Sequence, residues 1–150
     1  MKAYILTDPT ARTRALYAWE RDDLDNRPGN CYLVFDERSP QSASKFAGRY
    51  WASAPAWNHR RTWAKCPRVE IRKVSDGRSY YWSNGGGHIV LAPPEARAVV
   101  LIHELTHARG YWQSNCHSVG FVRAYVCALA ALLKWDRTEL EAQAMMRRLI

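Results

Sequence analysis

Two histidines and a glutamate in the segment His103-Glu104-Leu105-Thr106-His107 have the spacing of a metal-binding helix. Residues four apart on an α-helix lie one turn above each other on the same face, so both imidazoles can reach one tetrahedral metal ion. Glu104 would then lie beside the metal without binding it. A zinc ion lowers the pKa of a bound water to about 7, and a carboxylate in this position can take the proton. The motif therefore predicts hydrolytic chemistry with Glu104 as the general base.

The alternative to a metal site is a pair of hydrogen-bonded core histidines, since the chain has five histidines in all. The surrounding sequence favours the metal. The range 92–95 is typical of a helix start, residues 96–109 contain no helix breaker, and Gly110 can end the helix. Apolar residues surround the motif on most sides, so we predict a buried central helix whose histidines need partners.

A catalytic zinc ion takes three protein ligands and leaves one position to water, so a third ligand must lie elsewhere. His117 follows His107 by ten residues, which suits a turn and then a histidine at the start of the next helix. Metzincins place their last histidine closer to the second, so this chain does not follow their pattern. Glu139 and Glu141 on the last predicted helix are alternative third ligands. We predict a zinc ion bound by His103, His107 and His117.

Hydrolysis of an amide also needs a hydrogen-bond donor for the developing oxyanion. Tyr125 lies two predicted helical turns beyond His117, so it is the first candidate for this donor. A tyrosine at this spacing can equally be a core residue. Three other candidate donors near the motif are Arg109, Tyr111 and Arg123. His88, in the strand before the motif, is expected to face solvent.

The length and composition are those of a globular domain, with 150 residues of which 47% are hydrophobic. Such a chain can bury a core without a metal or disulfide staple, so we expect any bound zinc to be catalytic. The four cysteines form no C-x-x-C pair, and we expect reduced thiols. No apolar run has the length of a signal peptide core or a membrane span, which predicts a cytoplasmic protein with no membrane partner.

The chain is strongly basic, with a formal net charge of +8. Eight basic residues and two acidic residues lie in the range 49–78, with several tryptophans and tyrosines among and just after them. This composition is typical of a groove that follows phosphates and stacks bases, so nucleic acid is a candidate partner. The alternative is that the aromatic residues pack in the core while the charges are solvated, because no nucleic-acid recognition motif is present.

Periodicity and turn signals predict a small sheet and several helices around the motif. Alternation of apolar and polar residues, with turns at Asp76-Gly77 and at 84–87, predicts three antiparallel strands over residues 69–74, 79–82 and 88–91. The helices are predicted over residues 8–24, 39–51, 96–109, 117–135 and 136–149. Residues 31–35 are rich in strand-forming residues. We therefore predict one α+β domain over 1–150, with a small antiparallel sheet packed on a central HExxH helix.

The motif and the later segment His117-Ser118-Val119-Gly120-Phe121 together resemble the SprT-like zincins, whose third ligand opens an H-G-x-x-F/W segment. They are still more similar to a family of small metallohydrolases of actinobacteria and their phages, which also have a Tyr-Ala-x-Glu element, here Tyr17-Ala18-Trp19-Glu20. The resemblance covers about residues 85–133, with Ser118 at the usual glycine position. It implies a minimal zincin-like fold, zinc on the three histidines and, for a phage-encoded protein, the host cytoplasm.

The leading prediction is thus a zinc-dependent metallopeptidase that acts on a protein or peptide substrate, and the sequence does not predict its oligomeric state. A second hypothesis is a nucleic-acid- or protein-binding module on a zincin scaffold, in which zinc only holds the fold. Its DNA binding would depend on salt and not on Glu104. Hydrolysis of a non-peptide amide is a third hypothesis, and it would use the same ligands.

Overall fold

The computed structural model describes residues 5–27, 34–36, 38–57, 65–83, 87–94, 96–110 and 117–150. These residues form helices and one small sheet, which confirms the α+β class. The helices are α1 (Pro9–Trp19), α2 (Pro40–Ser53), α3 (Ala98–Ala108), α4 (Val119–Leu133) and α5 (Arg137–Met146). The strands are β1 (Arg68–Ile71), β2 (Tyr80–Trp82) and β3 (His88–Leu91). Within the described ranges, no helix combines the length and apolar character needed to cross a membrane.

Side-chain caps begin three of the helices close to their predicted starts. Asp8, Ser118 and Asp136 accept hydrogen bonds from backbone amides in the first turns of α1, α4 and α5. Each cap satisfies an amide that has no partner within its own helix. The Ser118 cap also fixes the preceding residue, His117, at the entrance of α4.

The first helix continues beyond α1 as a π-helical turn over Glu20–Leu24. In that turn the Asp25 amide donates to the Glu20 carbonyl at 2.8 Å, five residues back. Both Glu20 and Leu24 are buried. The helix predicted over residues 8–24 is confirmed, and its wider last turn carries an acidic side chain into the interior.

The buried guanidinium of Arg12 ties α1 to the chain termini. It donates to the carbonyls of Leu149 and Leu6 at 2.6 and 2.5 Å. Burial lowers the pKa of Arg12 from its ordinary value. Buried charged groups are stable only when hydrogen-bonded, so this contact fixes where α1 lies against the C-terminal segment.

The sheet differs from the predicted antiparallel meander. Its strand order is β1-β3-β2, and β3 pairs in parallel with β1 and antiparallel with β2. The turn at Asp76-Gly77 forms, with Gly77 at φ +71°, but the strands on either side of it are not neighbours. The prediction of three antiparallel strands was therefore wrong, because hydrophobic alternation determines the buried face of a strand and not its partner.

Helix α3 is the buried central helix that the sequence predicts, since nine of its 11 residues are buried. It begins at Ala98, later than the predicted start in the range 92–95. Arg97 has extended backbone and forms an antiparallel bridge with Val34. That tertiary contact delays the helix. The predicted strand over 31–35 lies mostly outside the described residues.

Candidate metal centre

The three predicted histidine ligands meet at one point. His103 and His107 project from one face of α3, and His117 lies directly before α4. The distances between their Nε2 atoms are 3.0 Å for His103–His107, 3.1 Å for His107–His117 and 3.2 Å for His117–His103. The three residues can therefore hold one metal ion, as the sequence predicts.

The size of this nitrogen triangle fits a tetrahedral metal site. Zinc–nitrogen bonds of about 2.0–2.1 Å at tetrahedral angles place ligand nitrogens about 3.3 Å apart. The three observed separations are within a few tenths of an ångström of that value. To bind a tetrahedral metal ion, the three nitrogen atoms would need to move apart only slightly.

Hydrogen bonds behind two of the imidazoles direct their Nε2 lone pairs toward the centre. His103 Nδ1 lies 2.5 Å from Glu20 Oε1, and His117 Nδ1 lies 3.0 Å from Thr13 Oγ1. A neutral imidazole carries one N–H, so donation from Nδ1 to these oxygens leaves Nε2 unprotonated. A carboxylate behind a metal-binding histidine also fixes the ring and raises its basicity.

Burial keeps the imidazoles in the form that binds metal. Desolvation lowers the pKa of His103 to about 3 from its ordinary value of 6.5. The pKa of His117 is also far below its ordinary value, because of burial and of the neighbouring His103 and His107. Both rings are therefore neutral at pH 7 and need not lose a proton when a metal binds.

One face of α1 supports the histidines. Thr13, Tyr17 and Glu20 are spaced as i, i+4 and i+7, so they share that face. The ring of Tyr17 stacks on His103 at 5.7 Å between centroids, and its contact with His117 is edge-on, also at 5.7 Å. Sequence reasoning missed the roles of Thr13 and Glu20. The only signal was the Tyr-Ala-x-Glu element, to which the resemblance assigned no role.

The carboxyl group of Glu104 lies beside the histidines and is buried. It accepts a hydrogen bond from the backbone of Tyr81 on β2. Burial and the negative charge of Glu20 raise the pKa of Glu104 to about 8, against the smaller opposing effect of that hydrogen bond. A carboxyl group with a pKa near neutrality is suited to proton transfer, although a nearby dication would lower this pKa.

Two adjoining cavities of about 260 and 270 Å³ open onto the site. The first reaches His103, with Val100, Arg21 and Arg78 among its walls. The second reaches the other two histidines and the side of β2. Both cavities are lined by Tyr17, Ser79 and Glu104. Glu104 is therefore at their junction, where it can contact a molecule that occupies either cavity.

Tyr125, the predicted oxyanion donor, lies beneath the histidines. Its side chain is 0% exposed, and its hydroxyl donates to the Val99 carbonyl at 3.3 Å. Burial, followed by the charge and hydrogen bond of Glu20, raises the pKa of Tyr125 well above its ordinary value. Its ring meets the His103 ring edge-on at 5.7 Å. The role of Tyr125 as oxyanion donor stays a prediction.

The alternative third ligands lie in other contacts. Glu139 pairs with Arg27, and Glu141 pairs with Arg137 at 2.7 Å. Neither acid belongs to the cluster that His117 completes among the described residues.

The other candidate donors are dispersed. The guanidinium of Arg109 lies 5.2 Å above the ring of Trp51, and Arg123 is exposed on α4. Tyr111 lies outside the described residues. His88 is partly exposed and pairs with Glu70 at 3.0 Å, on a strand position that does not line either cavity described above.

The resemblance to the SprT-like zincins stays a prediction, as does the zincin-like arrangement. In comparisons with family models, curated proteins and solved structures, nothing matched this chain.

Proposed function

We propose that this protein is a zinc-dependent hydrolase, and more specifically a metallopeptidase that uses Glu104 for proton transfer. The observation that supports the proposal most directly is the convergence of three Nε2 lone pairs beside a buried carboxyl group. Three imidazole nitrogens are a ligand set that suits zinc. The cavities at the site give a substrate access to both the metal position and Glu104.

In this proposal, the residues at the site have separate roles in binding the metal and transferring the proton. When bound, zinc supplies a Lewis acid that polarises a carbonyl group and lowers the pKa of water. Glu104 accepts a proton from the attacking water and later delivers it to the leaving amine nitrogen. The Tyr81 amide orients the Glu104 carboxylate, while Glu20 and Thr13 hold two of the ligand rings.

An open metal site favours catalysis over a purely structural role. Structural zinc sites are closed by four protein ligands, whereas catalytic sites keep one position for water or substrate. Among the described residues, the metal-capable cluster comprises the three histidines alone. The two cavities reach that cluster from outside.

Strand β2 supports a peptide as the substrate. It pairs with β3 and is an outer strand of the sheet that the described residues form, a position from which proteins commonly bind extended peptides. The Tyr81 amide already donates to Glu104, so a peptide would pair with the remaining backbone groups of this edge. Tyr80 and Tyr81 of this strand also line the second cavity. An extended peptide added to this edge would pass beside Glu104.

Tyr17 is better placed than Tyr125 to contact that substrate. Its side chain is 48% exposed, and it lines both cavities. Tyr125 has no exposed surface. We therefore assign substrate positioning to Tyr17 and packing behind His103 to Tyr125.

The deciding experiment compares zinc content and peptide cleavage in the wild type, Glu104→Gln, His117→Ala and Glu141→Gln. We expect about one zinc per chain in the wild type and in Glu104→Gln, but cleavage only in the wild type. His117→Ala should lose or weaken zinc binding. Glu141→Gln, which changes an acid paired with Arg137, should keep both zinc and cleavage.

Two results would reject the proposal. If Glu104→Gln cleaved peptides as fast as the wild type, Glu104 could not be the general base. Stoichiometric zinc without cleavage of any member of a diverse peptide library would instead favour a binding module with a structural metal.

A further inference from the structure

A second surface carries positive charge that the proposed hydrolysis does not use. It lies along the exposed side of α2 and continues onto the start of β1. We call it the α2 face and define it by Ser42, Ser44, Lys45, Gly48, Arg49 and Arg68. The side chains of Lys45 and Arg49 are one helical turn apart on the same side of α2.

Two open depressions join along the α2 face. Their volumes are about 730 and 430 Å³, and Lys45 lines both of them. One extends to Ala52 near the end of α2, and the other to Pro40 at its start and Arg68 on β1. Together the two depressions form one trough along α2 from Pro40 to Ala52. At 1.5 Å per residue, this trough is about 18 Å long.

Among the described residues, no acid lines the α2 face to compensate its positive charge. No aspartate or glutamate is among the described residues that line either depression, and the sequence of α2 contains none. Within the described ranges, no carboxylate forms an ion pair with Lys45, Arg49 or Arg68. The Arg49 guanidinium instead lies 5.2 Å above the Phe46 ring, which holds it at the surface.

The basic range 49–78 noted in the sequence contributes only partly to this face. Residues 58–64 lie outside the described residues. Arg72 pairs with Glu70 at 3.2 Å, and Arg78 lines a cavity beside Glu104. Lys45, which lies before that range, is central to the trough. Folding therefore places the open positive charge on α2 rather than along one continuous stretch.

The chemistry of the α2 face fits phosphate groups better than an acidic protein. Its floor residues Phe35 and Phe46 are only 6% and 2% exposed, so they offer little apolar surface to anchor a protein partner. Cations and serine hydroxyls are the groups that commonly contact phosphate oxygens. At about 3.4 Å per nucleotide, the trough would accommodate about five nucleotides.

We propose that the α2 face binds the phosphate backbone of a nucleic acid without reading its sequence. We call the two cavities beside the three histidines and Glu104 the histidine cleft. The α2 face is separate from this cleft, because β1 and β2 lie at opposite edges of the sheet. Among the described residues, none lines both the α2 face and the cavities beside Glu104. The inference therefore does not depend on the proposed hydrolysis.

Gly48 offers a test that separates binding from folding. A Cβ atom at Gly48 would meet no atom within 4 Å, and glutamate is a better helix former than glycine. Gly48→Glu should therefore keep the fold while placing a negative charge in the trough. Gly48→Gln is the matched control of nearly equal size without the charge.

The measurement is fluorescence anisotropy of a labelled 20-nucleotide oligothymidine, and of a duplex of the same length, from 50 to 200 mM salt. We expect binding by the wild type with a salt slope near −2 for the single strand, because about three cations contact phosphates. Gly48→Glu should weaken binding about fivefold or more, and Gly48→Gln should bind like the wild type. Lys45→Glu combined with Arg49→Glu should weaken it further.

Four outcomes would overturn the proposal. The wild type could fail to bind either oligonucleotide, or Gly48→Glu could bind as tightly as Gly48→Gln. Alternatively, the exposed pair Arg14→Glu and Arg123→Glu could cause the same loss as the α2 pair, which would assign binding to net charge alone. Equal affinity for polyglutamate would identify an acidic protein as the partner and would also exclude the nucleic-acid assignment.

Discussion

The histidine cleft and the α2 face hold their polar groups in opposite ways. In the cleft, His103, His117 and Glu104 are buried and each meets a defined partner on another element. On the α2 face, Lys45 and Arg49 are exposed, and the described residues supply no ion pair to either. Buried polar groups are costly unless they are satisfied, so their partners indicate what the site is built to do.

An exposed cation carries less information, because water satisfies it at almost no cost. The function of an exposed cation can be inferred only from its neighbours, that is, from nearby cations and from the lack of a nearby acid. The comparison therefore predicts that substitutions in the cleft change metal binding and turnover, whereas substitutions on the α2 face change salt-dependent binding.

The largest effect is expected from Glu104→Gln in the cleft. Loss of a positioned general base lowers kcat by about 10²–10⁴-fold, while zinc remains bound. Oligonucleotide affinity should stay at the wild-type value. Steady-state kinetics, metal analysis and anisotropy on the same preparation check the three expectations. A parallel loss of nucleic-acid binding would show that the two regions act as one site.

The metal-free protein should show the cost of burying Glu104. In the folded protein the pKa of Glu104 is about 8, above the ordinary value of 4.5. Between pH 4.5 and pH 8 the folded state therefore binds more protons than the unfolded state. Stability of the wild type should therefore fall, relative to Glu104→Gln, as pH rises from about 5 to about 8. The difference is expected to be on the order of a few kcal/mol.

Urea unfolding of both proteins in excess chelator at pH 5, 7 and 8.5 measures this difference. His103 and His117 titrate in both proteins, and their lowered pKa values should cancel in the comparison. Parallel stability curves would contradict the raised pKa of Glu104. Added zinc should reduce the difference, because a dication favours the carboxylate.

Removal of the carboxylate behind His103 should weaken the metal site without removing a ligand. Glu20→Gln is expected to lower zinc affinity about 10–100-fold, because the ring loses its charged partner. Competition with a chromogenic chelator measures the affinity. Asp22→Asn, which changes an exposed acid in the same π-helical turn, is the control and should leave zinc affinity unchanged. If Glu20→Gln bound zinc as tightly as the wild type, the carboxylate of Glu20 would not contribute to the metal site.

The smallest effect distinguishes the two tyrosines of the site. Tyr17→Phe should lower kcat/KM by up to about tenfold with little change in stability, since one exposed hydroxyl is lost. Tyr125→Phe should instead cost about 1 kcal/mol of stability, because it removes the buried hydrogen bond that the Tyr125 hydroxyl donates to the Val99 carbonyl. Thermal unfolding and kinetics of both variants separate the effects. The reverse outcome would support Tyr125 as the oxyanion donor.

The cluster of three histidines could be predicted from the sequence because their spacing is local. On any α-helix, His103 and His107 must face the same side, and His117 needs only a short turn to return. The starts of α4 at Val119 and α5 at Arg137 also lie within two residues of their predicted positions, since a helix start depends on the next few residues. These features follow from the geometry of one helix turn.

The supporting residues could not be found in this way. Glu20 lies 83 residues before His103, and Thr13 lies 104 residues before His117. No periodicity connects such pairs, because they meet only after α1 packs against α3 and α4. The same reason explains why the α2 face combines residues of α2 and β1.

Local patterns were enough to predict the helical histidine motif, His117 as the third member of the cluster, and the mixed helix and strand content. Tertiary contacts instead determine the parallel pairing of β1 with β3, the late start of α3, and the burial that changes the pKa of Glu104. These two groups of features differ in the distance along the chain over which their causes act. Backbone geometry and capping act over a few residues, whereas strand partners, desolvation and second-layer hydrogen bonds depend on which distant segments share the core.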